Sequence, residues 1–258
     1  MNVGSRHRQN GFTLIEIIVT MVAVSFFLVI MLTLFSDSLI QSSTPLRWLL
    51  RSSDLNNVMA NITADYAPYP KWKASISYAT GDKILPVGMN GRFYVCTATG
   101  TSGTSEPLWR DYGETKDGTA TWKAGSWEAG KTYVAGDLVI PTSPNGHFYR
   151  FTTLTAETGT SGGTEPAWTK TGDAAISDGT VVWKRLLGWL KSEIGTSDAT
   201  LKDNRYGKYY VLENRFVAYD DGTKQMETVA SPENTLLVKI KSADGDMTLT
   251  TLFTAKEQ

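Results

Sequence analysis

The sequence has little cysteine, little histidine and almost no net charge. Cys96 is the only cysteine, which excludes an intrachain disulfide and a cysteine-rich metal site. His7 and His147 are the only histidines and lie far apart, so a multi-histidine metal site is not available. The formal net charge is −1 over 258 residues, and it does not indicate the basic surface that phosphate binding needs. Apolar cores must therefore hold the fold, and we expect no nucleic-acid partner.

Apolar residues are concentrated in one long run, residues 12–35, in which Glu16 is the only charge. A helix of this length is about 36 Å long, enough to cross a hydrocarbon core of about 30 Å. Arg6 and Arg8 precede the run and favour a cytoplasmic N-terminus. No small-residue cleavage site follows the run, so it is not typical of a removed signal peptide. The sequence predicts a single-pass inner-membrane protein whose C-terminal region is periplasmic.

The residues at the start of this run are Gly-Phe-Thr-Leu-Ile-Glu, at positions 11–16. This motif resembles the class III leader of type IV pilins and type II secretion pseudopilins. The resemblance implies that prepilin peptidase cuts between Gly11 and Phe12, that Phe12 becomes N-methylated, and that Glu16 pairs with the amino terminus of a neighbouring subunit. A carboxylate in an apolar helix also suggests a functional site on physical grounds. The alternative is an ordinary membrane anchor whose Glu16 reaches the cytoplasmic interface.

Beyond the membrane the helix is expected to continue in amphipathic form and to end at 66–70. Pro45 should kink or break it near Ser43 and Thr44, because proline removes a helical hydrogen bond. Apolar residues at near-helical spacing form the buried stripe: Leu39, Leu46, Leu49, Leu50, Leu55, Val58, Met59 and Ile62.

The middle of the chain is a tandem duplication rich in aromatic residues. The repeat distance is 55 residues between Gly81 and Gly136 and 61 between Trp122 and Trp183. The repeated positions include Trp72/Trp127, Tyr78/Tyr133, Asn90/Asn145, Tyr94/Tyr149, Glu106/Glu165, Trp109/Trp168, Asp117/Asp178 and Trp122/Trp183. Each Asn-Gly pair predicts a hairpin whose two central residues have positive φ. We therefore expect two small all-β modules, 71–125 and 126–187, with miniature tryptophan cores.

The repeated pattern resembles short chitin-binding-type carbohydrate-binding modules. The resemblance implies that exposed aromatic faces stack on sugar rings of a polysaccharide. Its candidate glycan-binding residues are Trp109, Trp168, Tyr94 and Tyr149. The alternative is that these rings form the cores of their modules.

The last part, 188–258, alternates β-prone runs at 208–212, 215–219, 235–240 and 248–253 with Asp-Gly turns. An antiparallel sheet is expected, with one face covering the amphipathic helix. The predicted fold class is α+β: a leader at 1–11, a long helix at 12–66, two inserted β-modules and a pilin-like terminal sheet.

The sequence does not favour an enzyme or a bound cofactor. Glu106 and Glu165 occupy one position of the repeat, whereas a glycosidase acid and base arise in different environments. The Asp-Gly turns lack the spacing of an EF-hand calcium loop. The leading hypothesis is a minor pilin or pseudopilin whose partners are prepilin peptidase, other pilins and the membrane. The alternative is a membrane-tethered carbohydrate-binding or adhesion protein that uses the pilin segment for delivery.

Overall fold

A computed structural model describes residues 13–88, 90–152, 157–230, 233–245 and 247–255, with only the backbone described over 34–51. Gly11 and Phe12 lie outside the described residues. The chain divides into two compact units, Met1–Ser53 and Asp54–Gln258. The described elements are two helices and seventeen strands, and all the pairs between these strands are antiparallel. The predicted α+β class is confirmed.

Helix α1 (Leu14–Tyr66) begins at the apolar run and ends at the predicted position. Of the predicted kink or break at Pro45, the break is wrong, because the backbone stays helical across this residue. Proline costs a helix one hydrogen bond and some steric strain, and the surrounding turns remain helical here despite that cost. The predicted apolar stripe is confirmed at Leu55, Val58, Met59 and Ile62, which are all buried. The stripe residues from Leu39 to Leu50 lie where only the backbone is described.

The first repeat contains six short strands: β1 (Ser77–Tyr78), β2 (Lys83–Ile84), β3 (Tyr94–Ala98), β4 (Gly100–Thr101), β5 (Glu114–Asp117) and β6 (Ala120–Ala124). The second contains β7 (Thr132–Val134), β8 (Leu138–Val139), β9 (Tyr149–Phe151), β10 (Thr158–Thr160), β11 (Ile176–Asp178) and β12 (Val181–Arg185). Both repeats have the same topology. Strands β1 and β4 pair beside a sheet of order β2-β3-β6-β5, and β7 and β10 pair beside one of order β8-β9-β12-β11. The sequence duplication therefore has a matching duplication of topology.

Each repeat has its own aromatic core. The core of repeat 1 contains Trp72, Tyr78, Tyr94 and Trp122, and that of repeat 2 contains Trp127, Tyr133, Tyr149, Phe151 and Trp183. Such large rings bury much apolar area per residue, which small disulfide-free β-units need.

The predicted hairpin geometry at the Asn-Gly pairs is only half right. Gly91 and Gly146 have positive φ, at 75° and 85°, but Asn90 and Asn145 do not. Each asparagine instead accepts a hydrogen bond from the backbone N–H two residues later, at 3.1 Å. Its side-chain amide also donates to the tyrosine hydroxyl four residues later. This local bonding stabilises the turn without a left-handed asparagine.

The C-terminal region begins with a helix that the sequence reading missed, α2 (Leu186–Ile194). It is followed by β13 (Lys202–Asn204), β14 (Gly207–Asp220), β15 (Gln225–Thr228), β16 (Thr235–Ser242) and β17 (Thr248–Thr254). These strands form a sheet of order β13-β14-β16-β17, with β15 paired to β14. The runs predicted at 208–212 and 215–219 are one strand, β14, with an irregularity in register between Val211 and Glu213. A bulge of this kind adds a residue without ending the strand.

The largest core joins the last turns of α1, helix α2 and the C-terminal sheet. Its members include Leu55, Val58, Ile62, Leu186, Leu190, Ile194, Tyr209, Val211, Leu236, Val238, Ile240 and Phe253. Leu85 and Phe93 of repeat 1, with Leu138 and Ile140 of repeat 2, belong to the same cluster. Each repeat therefore contributes apolar residues from one of its faces to this shared core.

Candidate functional sites

The N-terminal end of α1 presents an acidic side chain on an apolar surface. Glu16 lies in the first helical turn and is exposed, as are the described residues up to Thr33. Near the helix N-terminus a negative charge interacts favourably with the helix dipole. Because it is exposed, the Glu16 carboxyl group is accessible to groups outside its own helix.

The segment Leu14–Thr33 is long and apolar enough to cross a membrane. Its 20 residues span about 30 Å, the thickness of a hydrocarbon core. The hydroxyls of Thr20, Ser25 and Thr33 donate to backbone carbonyls one turn earlier, with distances of 2.8, 2.7 and 2.8 Å. These bonds satisfy the hydroxyl groups within the helix, as a lipid environment requires.

A family model described as the prokaryotic N-terminal methylation motif matches residues 6–32. This chain carries a type IV pilin-like leader. The motif implies processing by prepilin peptidase and assembly with other pilin subunits, and with the apolar helix it fits membrane anchoring. No curated protein and no solved structure matches the chain.

A buried aspartate organises each repeat, a role that sequence reasoning missed. Asp117 Oδ2 accepts hydrogen bonds from the indole Nε1 of Trp72 at 2.7 Å and of Trp122 at 3.1 Å. Asp117 Oδ1 accepts from the backbone N–H of Gly103 at 2.7 Å. Asp178 repeats the arrangement with Trp127, Trp183 and Gly162, with distances of 2.7, 2.8 and 2.7 Å. The available signal was the recurrence of this aspartate at the same position of both repeats, as Asp117 and Asp178.

Two of the four predicted glycan-binding rings are unsuitable, because Tyr94 and Tyr149 are fully buried. Their large apolar rings fill the centre of each repeat, where no sugar can stack on them. The prediction of an exposed aromatic face is therefore wrong for both tyrosines.

Trp109 and Trp168 are half-buried, and each contacts an equivalent tyrosine and an equivalent glutamate. The Trp109 ring lies 4.3 Å from that of Tyr94, and the Trp168 ring lies 4.4 Å from that of Tyr149, measured between centroids. Each indole Nε1 donates at 2.8 Å to the glutamate three residues earlier, Glu106 or Glu165. A ring fixed on one side in this way loses little conformational freedom when a ligand contacts it.

Glu106 and Glu165 are held by hydrogen bonds within their repeats. Besides the tryptophan, Glu106 Oε1 accepts from the backbone N–H of Val87 at 2.7 Å. Glu165 Oε1 accepts from the backbone N–H of Thr142 at 2.8 Å. Each carboxyl group thus links its Glu-Pro-x-Trp segment to a neighbouring loop, which gives the glutamate a structural role in both repeats.

The two half-buried tryptophans differ in their neighbours. Around Trp109, Leu108 and Tyr112 are 92% and 75% exposed. At the equivalent positions of repeat 2 stand Ala167 and Thr171. The surface at Trp109 is thus the more apolar of the two.

His147 is buried, lines a small space with Phe148 and Leu186, and carries a strongly lowered pKa. Desolvation by burial, followed by the positive charges of Arg185 and Lys170, lowers the pKa of His147 to about 4. Arg185 itself forms an ion pair with Glu233 and donates to the Glu233 carbonyl at 2.8 Å. His147 is therefore neutral at pH 7 and lies within packed structure.

Proposed function

We propose that this chain is a minor pilin or pseudopilin, a structural subunit of a type IV pilus or a type II secretion pseudopilus. The observation that carries the proposal is the methylation motif at 6–32, which leads directly into an apolar helix with Glu16 in its first turn. Before assembly the apolar segment anchors the chain in the inner membrane with its N-terminus cytoplasmic. The unit from Asp54 onward is then periplasmic.

Glu16 supplies the assembly contact in this proposal. Prepilin peptidase cuts between Gly11 and Phe12, which frees an ammonium group at Phe12. A carboxylate in an apolar helix is costly unless a cation neutralises it. The methylated amino terminus of an adjacent subunit provides that cation at the same depth in the membrane.

Processing at Gly11 gives the direct test. We would express the full chain with and without prepilin peptidase and measure the intact mass of the membrane form. Processing removes residues 1–11 and adds a methyl group, and Gly11→Val should block both changes. Gly4→Val, a leader glycine away from the cut, is the matched control and should be processed normally. An identical mass with and without the peptidase would contradict the proposal.

The second candidate function is polysaccharide binding through the repeats. It is favoured by Trp109 and Trp168, whose indoles are partly exposed and are held by a glutamate and an adjacent tyrosine ring. An adhesive minor pilin would combine both functions, whereas a membrane-tethered adhesin would use the pilin segment only for delivery. Retention of the full chain on chitin, cellulose and peptidoglycan tests binding. No retention on any polymer would leave the repeats as spacers or protein-contact domains.

A further inference from the structure

A cavity of about 420 Å³ lies between the two repeats. The sheet of repeat 1 forms one wall and segment 128–138 of repeat 2 forms the other. Phe93, Val95 and Leu138 give it an apolar floor. Its volume lies within the range of small-ligand pockets in proteins, roughly 300–1,000 Å³.

Three lysines and two acidic residues surround this floor. Lys83 Nζ lies 2.5 Å from Asp137 Oδ1, and Lys131 Nζ lies 2.7 Å from Glu128 Oε1. Lys123, on β6, is exposed and makes no ion pair with any residue that the structure describes. The lining therefore carries one positive charge that no carboxylate of the cavity neutralises.

Repeat 2 has an equivalent sheet surface, but side chains occupy the space that is open in repeat 1. Lys83, Val95 and Lys123 lie side by side across β2, β3 and β6. Leu138, Arg150 and Lys184 occupy the equivalent row across β8, β9 and β12.

The side chain of Arg150 occupies this space in repeat 2. Its guanidinium lies 4.2 Å from the centroid of the Trp189 ring in α2. A Cβ placed on Gly136 would meet Arg150 at 3.2 Å, whereas one placed on the equivalent Gly81 would meet nothing within 4 Å. The repeat fold itself thus does not require the cavity. It exists because repeat 1 carries Val95 where repeat 2 carries an arginine.

We propose that this inter-repeat cavity binds a carboxylated sugar, such as a hexuronate unit of an acidic polysaccharide. A sugar ring combines apolar C–H faces with hydroxyl groups that need both donors and acceptors. The cavity offers an apolar floor, lysine donors and the carboxyl oxygens of Asp137 and Glu128. Lys123 supplies the unpaired ammonium for the carboxylate of the ligand, and such charge-assisted hydrogen bonds are the stronger kind. Neither Trp109 nor Trp168 lines the cavity, so this site is separate from the aromatic surfaces and independent of filament assembly.

Calorimetric titration of the full chain in detergent micelles with trigalacturonate tests the proposal. We expect saturable binding of trigalacturonate, and weaker binding by about tenfold or more for neutral galactotriose, which lacks the carboxylates. Inorganic phosphate tests for a simple anion site. Equal affinity for phosphate or for galactotriose would overturn the proposal, as would absence of trigalacturonate binding.

Two matched variants locate the site. Lys123→Ala should weaken trigalacturonate binding about tenfold or more, because it removes a charge-assisted contact. Lys184→Ala removes the equivalent lysine of repeat 2, where the face is filled, and should leave affinity unchanged. Equal effects of the two variants, or no effect of Lys123→Ala, would overturn the assignment.

A variant that fills the cavity with a neutral side chain tests the site without changing its charge. Thr97 is exposed and lines the cavity, so Thr97→Trp should occlude it without disturbing a core. Loss of trigalacturonate binding with an unchanged unfolding midpoint is expected. Retained affinity in this variant would place the ligand elsewhere and contradict the proposal. Peptidase processing of all these variants should be normal, which separates this test from that of the filament function.

Discussion

The indole nitrogen of Trp72 donates a hydrogen bond to Asp117 Oδ2 at 2.7 Å, across 45 residues of sequence. The same oxygen accepts from Trp122, and the other oxygen from the backbone of Gly103. One carboxyl group thus connects the first residues of the repeat with its last strand. Since Asp117 is 3% exposed, water cannot easily replace it.

Asp117→Ala is predicted to destabilise repeat 1 strongly. It leaves three N–H donors without their acceptor in a buried site, and we expect a loss of about 3 kcal/mol or more in the free energy of unfolding. Urea unfolding followed by tryptophan fluorescence measures it. Asp203→Ala is the control, because Asp203 is exposed and its one ion pair among the described residues is with the surface residue Lys208. A surface pair contributes at most about 1 kcal/mol. Similar midpoints for the two variants would contradict the prediction.

The long apolar helix and the duplicated β-modules could be predicted from the sequence because both depend on local patterns. A long apolar run and a repeated series of tryptophans are visible without knowledge of the fold. The role of Asp117 was not visible, because it depends on which tryptophans the fold brings to that carboxyl group. Tyr94 and Tyr149 were misjudged for a related reason. Sequence shows that a ring is present, but burial decides whether its face is available.

Helix α2 could have been found. Leu186, Leu190 and Ile194 recur at four-residue spacing and are all buried, which is typical of a helix face. This short helix follows directly on the β-strand β12, so its period begins without a turn signal between the two elements. At Pro45 a local rule predicts a kink or a break, and the helix has no break there.

His147 should make stability depend on pH. The pKa of His147 is about 4 in the folded chain, below its ordinary value of 6.5, so only the unfolded chain binds a proton between these values. The free energy of unfolding should therefore fall as the pH drops from 6.5 to 4, by at most about 3 kcal/mol. His147→Phe should remove this part of the dependence. Urea midpoints of both proteins across the pH range provide the measurement, and parallel curves would show that His147 does not cause it.

Glu16→Gln should separate processing from assembly. The substitution keeps the size of the side chain but removes the charge that, in the proposed assembly contact, neutralises a neighbour's amino terminus. We expect normal cleavage after Gly11 and strongly reduced incorporation into filaments. Immunoblots of sheared filaments against membrane fractions measure the ratio. Thr20→Val is the control, because the Thr20 hydroxyl bonds only within its own helix. Equal incorporation of the Glu16→Gln variant and the unmodified chain would remove Glu16 from the assembly contact.

Repeat 1 should contribute more to polysaccharide retention than repeat 2. Leu108 and Tyr112 extend the apolar surface at Trp109, whereas Ala167 and Thr171 offer less area at Trp168. Aromatic contacts gain from such neighbours because burial of apolar area drives association. Trp109→Ala should therefore weaken retention of the full chain more than Trp168→Ala does.

The two tryptophan variants are matched controls for one another. Each removes an indole that donates to a glutamate at 2.8 Å and packs against a buried tyrosine ring. The cost to stability should therefore be similar, and unequal retention then reports on the surface. Leu108→Ala at an intact Trp109 should give an intermediate loss. If both tryptophan variants and Leu108→Ala retain full binding, the ligand does not contact these rings.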